Sequence, residues 1–114
     1  MSQYFRPIDR VSMDAVLDAL AHHHRRMLLR YLCDRRERDV SFDDIVQHIA
    51  ERLSDDQCID RSSNSIASEL YHRHLPKLSA IGLVQFDDSL KIVRYTPDDR
   101  VEQLLATLTV LEGI

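Results

Sequence analysis

The sequence predicts a mainly α fold with one small β-hairpin, on three observations. Only two glycines and three prolines occur in 114 residues. Apolar residues recur at three- and four-residue spacing along most of the chain. Two short β-prone runs, Leu83–Phe86 and Leu90–Tyr95, flank the polar turn Asp87-Asp88-Ser89.

Ser12 is the N-cap of a first helix carrying Met13, Val16, Leu17, Leu20 and Ala21 at helical spacing, with Asp14 in its first turn. A second helix follows the triple histidine His22-His23-His24. Met27, Leu28, Tyr31 and Leu32 form its stripe through Arg25–Arg36. Ser41 caps a third helix whose buried face is Phe42, Ile45, Val46, Ile49, Ala50 and Leu53. The polar, acidic segment Ser54–Asp60 reads as a loop. A long fourth helix starts at Ser62 or Ser63 and runs to about Ile81, where Gly82 is a left-handed C-cap. Pro76 inside it removes one backbone hydrogen bond and is expected to bend the helix rather than break it in two. The hairpin comes next, closed by Pro97. A last helix from Asp98 to about Glu112 carries Val101, Leu104, Leu105, Leu108 and Leu111 on one side.

Three helices followed directly by a hairpin make a winged helix-turn-helix layout, here with extra N- and C-terminal helices. The expected division is an N-terminal arm over residues 1–11, a winged helix-turn-helix domain over 12–97 and a C-terminal dimerisation helix over 98–114.

Length and composition fit one globular domain, with 44% hydrophobic and 30% charged residues. No apolar run approaches a membrane span, and Met1–Arg10 lacks the apolar core of a signal peptide, so a cytoplasmic location is expected. Cys33 falls in an apolar helical pattern and reads as a small hydrophobe; neither it nor Cys58 belongs to a close metal-type pair. The net charge is −4, whereas DNA binding usually leaves a basic footprint. The balance is unusual in kind. Lys77 and Lys91 are the only lysines among 15 basic residues, and Asp outnumbers Glu 14 to 5. Such a surface suits concentrated salt, where charge is screened over a few ångströms and net charge says less about DNA.

The functional signal lies in Ser65–Tyr95. At 100° per residue, Ile66, Ala67, Leu70, Tyr71, His74, Leu78 and Ile81 gather on one half of the fourth helix. Ser65, Ser68, Glu69, His72 and Ser79 point the other way, with Asn64 and Arg73 on the flanks. One apolar face and one face of short polar and basic side chains suits a helix that packs inward and enters a DNA major groove outward.

The stretch LDALAHHHRRMLLRYL at Leu17–Leu32 resembles the opening of ArsR-type regulators. RHLPKLSAIGLV at Arg73–Val84 resembles their recognition helix running into the first wing strand. Together with LYHRHLPKL, the chain is similar to an uncharacterised winged-helix domain family of halophilic archaea, over about Val16 to Thr96. The resemblance implies a dimeric DNA-binding transcriptional regulator. Its recognition helix is about Ser62–Ile81, with Ser65, Ser68, His72 and Arg73 facing the groove. Lys91 and Arg94 in the wing Leu83–Tyr95 would reach the DNA backbone. Glu69 and the acidic tip Asp87-Asp88 depart from a purely basic surface.

A symmetric dimer is expected through the last helix, by Val101, Leu104, Leu105, Leu108 and Leu111, together with the Met13–Ala21 helix. The alternative reading is a winged-helix adaptor that binds a protein partner, favoured by the acidic balance. Against it stands the clustering of Arg25, Arg26, Arg61 and Arg73 near the proposed DNA side. Three consecutive histidines cannot all face one ion from a regular helix, and His72 and His74 lie on different faces. The triple histidine therefore reads as a polar helix junction, with no metal ligand and no cofactor assigned. No phosphate loop, nucleophile elbow or catalytic carboxylate pair is present, so an enzyme is not expected.

Overall fold

Caps and apolar spacing set the boundaries of most helices. The computed structural model describes residues 11–35, 39–57 and 63–113. Most of the expected N-terminal arm, Cys58, Arg61 and the Ser62 start of the fourth helix lie outside the described residues.

Helix α1 spans Met13–Ala19, and the Ser12 hydroxyl accepts the Ala15 N–H at 3.1 Å. Val16, Ala19 and Leu20 are buried, whereas Met13 and Leu17 remain exposed. Helix α2 covers His23–Arg35, beginning two residues earlier than its apolar stripe alone implies. Helix α3 covers Phe42–Gln57 and buries all six residues expected of it. It also runs through residues 54–57, whose polar, acidic composition predicts a loop. Polar residues cost an established helix only a few tenths of a kcal/mol each, and their backbone groups find partners by continuing the turn.

The fourth expected helix is one uninterrupted helical path of three parts: α4 (Ser63–Glu69), a π-helical turn (Leu70–His74) and α5 (Leu75–Ala80). The Leu75 N–H bonds to the Leu70 carbonyl, the five-residue step of a π turn. Pro76 follows at once, and its ring would crowd the His72 carbonyl of a regular α-helix. The wider turn accommodates it. At the far end Gly82 has φ 83°. The Gly82 N–H bonds to the Ser79 carbonyl and the Leu83 N–H to the Leu78 carbonyl, both at 3.0 Å. This is a Schellman closure, with Leu78 and Leu83 buried beside it.

The hairpin consists of β2 (Val84–Asp87) and β3 (Ile92–Tyr95), paired antiparallel with Val84 opposite Tyr95 and Phe86 opposite Val93. Leu90, expected in a strand, is exposed in the turn, where Lys91 adopts φ 55°. A short strand beyond the expected hairpin, β1 (Val40–Ser41), pairs with β3 and makes a three-stranded sheet of order β1-β3-β2. Helix α6 (Asp99–Glu112) starts at Asp98, whose carboxylate accepts the Arg100 and Val101 N–H groups at 2.9 and 3.2 Å.

The fold is thus mainly helical with a small antiparallel sheet. Leu28, Leu29, Ile45, Ile66, Leu78 and Val101 meet in one core. Each such side chain contributes about 1.5–3 kcal/mol relative to exposure. Among the described residues no helix is long and apolar enough to cross a membrane.

Candidate nucleic-acid interface

Along residues 63–80 the outward and inward faces separate as the periodicity predicts. Asn64, Ser65, Ser68, His72 and Arg73 are exposed, while Ile66, Leu70, His74 and Leu78 are buried. Leu75, absent from the expected inner face, is buried as well. On a regular α-helix it would sit about 140° from Leu70. The π turn brings both inward, leaving His72 and Arg73 as its exposed residues.

Glu69, expected to face the DNA side, is half-buried with Oε1 3.3 Å from His24 Nδ1. Lys77 pairs with Asp18 at 2.7 Å. Two arginines expected to build a basic patch are spent inside the chain. Arg25 is buried, with Nε donating to the Ala19 carbonyl at 2.8 Å and Nη2 to the Asp18 carbonyl at 2.9 Å. It therefore closes the C-terminal end of α1. Arg26 donates to the Leu20 carbonyl and to Glu112. Of the four arginines named for that patch, Arg73 alone is shown exposed; Arg61 lies outside the described residues.

Both basic residues expected in the wing also have acidic partners. Lys91 Nζ lies 3.0 Å from Asp88, and Arg94 Nε 2.5 Å from Asp39. The Tyr71 hydroxyl donates to the same Asp88 at 3.0 Å. These two hydrogen bonds, Lys91's the larger, hold the Asp88 carboxyl below its ordinary value. The acidic tip is thus partly neutralised and tied to the π turn. Lys91 also stands over the Tyr71 ring, 5.2 Å from its centroid.

Under this face the histidines converge, in contrast to the polar junction expected of them. His22 lies in the turn before α2 rather than on the helix, and its Nδ1 accepts the His24 N–H at 3.1 Å. His74 comes in from the π turn, its ring centroid 4.4 Å from His22 and 5.7 Å from His24. One ring nitrogen from each of the three lies within 4.8 Å of the others. His74 is fully buried, and burial, then the neighbouring His22 and Arg25, push its pKa down to about 4. Burial lowers His22 as well. Three converging imidazoles are potential metal ligands in their neutral form. The signal available in sequence was weak, because His74 stands fifty residues from His24.

Two of the residues expected at a dimer contact lie elsewhere. Val101 and Leu105 are buried in the core of their own chain, with Leu104 and Leu108 packed partly against it. Leu111 is exposed at 74%, next to Val110 at 76%. Cys33 is half-buried beside the core, and burial pushes its thiol up, as suits a packing residue.

The family described as a domain of unknown function, DUF7344, matches residues 17–94. That range runs from α1 through β3 and includes the histidine cluster and the exposed face of residues 63–80. No curated protein and no solved structure matches the chain.

Proposed function

For a chain that belongs to the DUF7344 family, a domain of unknown function, we propose a winged helix-turn-helix protein that binds double-stranded DNA as a dimeric transcriptional regulator in the cytoplasm. One observation carries the reading. Asn64, Ser65, Ser68, His72 and Arg73 lie exposed along a helix whose opposite side is anchored in the core, and that helix runs directly into a hairpin. In this reading residues 63–80 are the recognition helix, and β2 and β3 are the wing.

Chemistry assigns the roles. Arg73 and His72 donate to phosphates or base edges, and Asn64 offers both a donor and an acceptor. Ser65 and Ser68 are short enough to let the backbone approach the groove. Lys91 and Arg94 each carry an acidic partner, Asp88 and Asp39, that offsets part of their charge toward phosphate, so the wing contributes less than the helix. The dimer contact moves to exposed apolar residues, Met13 and Leu17 on α1 with Val110 and Leu111 on α6. A two-fold pair of recognition helices reads two half-sites about one DNA turn apart.

A second reading, an adaptor that docks on a protein, draws on the internal pairing of Lys91, Arg94, Arg25 and Arg26 together with the net charge of −4. Selection of bound fragments from a genomic DNA library, repeated across a salt series, separates the two. Enrichment of a palindromic site supports the regulator. Uniform recovery of all fragments, or none, supports the adaptor.

A further inference from the structure

We propose that His22, His24 and His74 form a binding site for a divalent transition-metal cation of the zinc type, joining the turn before α2 to the π turn of the long helix. The inference is independent of what the exposed face binds. Three ring nitrogens already lie within 4.8 Å of one another. A tetrahedral ion with nitrogen ligands needs them about 3.4 Å apart, which follows from metal–nitrogen bonds of about 2.0–2.1 Å. Loading therefore draws the three rings closer together.

Burial separates this cluster from a surface run of histidines. His24 and His74 are buried and His22 is half-buried. His74 Nε2 has no hydrogen-bond partner, an expensive condition for a buried polar atom that a bound ion relieves. The rings come from three separate places, the turn, the first turn of α2 and the π turn, so together they clamp distant segments. Glu69 borders the site at 3.3 Å from His24 Nδ1 and supplies negative charge to offset Arg25. His23 is adjacent in sequence but is not one of the three converging rings.

Loading has a definite proton balance. His22 Nδ1 faces the His24 N–H and His74 Nδ1 faces Arg25 Nη1 at 3.3 Å, so each neutral ring carries its proton on Nε2. An ion taken on Nε2 of either ring would displace that proton to Nδ1 and open the contact that Nδ1 makes. Arg25 keeps its bonds to the Ala19 and Asp18 carbonyls throughout.

The test is titration of the chelator-treated full chain with Zn(II) against a chromophoric competitor, and with Co(II) read by its visible absorption. The expected result is one ion per chain, with intense tetrahedral Co(II) bands. His22→Ala and His74→Ala should each weaken binding by more than about 100-fold, the upper range for losing even an outer partner of a ligand. His23→Ala and His72→Ala should change it by less than about twofold. If His74→Ala does not fold, as judged by circular dichroism, His22→Ala decides alone. Absence of saturable binding, or binding lost in His23→Ala and retained in His22→Ala, overturns the proposal.

Discussion

Tyr71 donates its hydroxyl to Asp88 at 3.0 Å and so ties the tip of the β2–β3 hairpin to the π turn of the long helix. The Tyr71 ring also meets Phe42 and Phe86 edge-on, with centroids 6.4 and 5.6 Å away. Helix and hairpin therefore share one apolar contact and one polar latch, which fixes where Lys91 and Arg94 stand relative to His72 and Arg73.

Tyr71→Phe keeps the ring packing and removes only the latch. Hydrogen exchange at the hairpin tip, residues 88–91, should quicken, while the urea midpoint barely moves. Unchanged exchange at the tip would show that the latch does not hold the hairpin.

Arg25→Met should cost about 2–3 kcal/mol in urea unfolding, because the Ala19 and Asp18 carbonyls lose a buried charged donor. Arg25→Lys should recover little of this, since an ammonium cannot reproduce the guanidinium fork. Full rescue by lysine would mean that charge alone matters there.

Glu112 accepts from Arg30 Nη2 at 2.5 Å and from Arg26 Nη2 at 2.9 Å. The Arg30 bond first, then the Arg26 bond, hold its carboxyl below the ordinary 4.5. The folded pKa is depressed, so this contribution to stability is fully present above about pH 4.5 and is lost as pH falls through the lower folded value. The stability difference between wild type and Glu112→Gln should be flat above about pH 5 and shrink below it. A difference that grows on acidification would reverse the assignment.

Leu105→Ala should cost about 2–5 kcal/mol, as expected of a core leucine. Leu17→Glu combined with Leu111→Glu should leave the fold within about 1 kcal/mol of wild type, each site being exposed. The same pair should convert a sedimenting dimer to a monomer. A wild-type monomer at micromolar concentration in concentrated salt would remove the dimer from the account.

Helices α1, α3 and α6 were legible because their signals are local: Ser12, Ser41 and Asp98 as starts, and apolar residues every three or four positions. Gly82 marked the end of the long helix for the same reason. What was not legible depends on long-range contact. Val40–Ser41 is too short to read as a strand and exists only through its pairing with β3. The π turn follows from Pro76 in a helix anchored on both sides, which a uniform 100° wheel cannot represent. Leu75 falls off the inward half of such a wheel on that account, and the periodicity of Val101 and Leu105 does not say which surface their stripe meets. On the candidate interface, exposure of Asn64, Ser65, Ser68, His72 and Arg73 followed from the wheel. The internal partners of Arg25, Arg26, Lys91 and Arg94 did not, because each ion pair or capping bond needs its acceptor placed in space.

The central claim, that the exposed face of residues 63–80 reads DNA, is tested most directly by anisotropy with a selected genomic fragment. Wild type and a His72→Ala/Arg73→Ala double variant are compared across a salt series. The account predicts selective, saturable binding by wild type. It also predicts a loss of at least about tenfold in the double variant, with a salt slope lower by about one for each phosphate contact removed. A folded wild type that prefers no fragment at any salt, or a double variant that binds as tightly and as selectively, would contradict it.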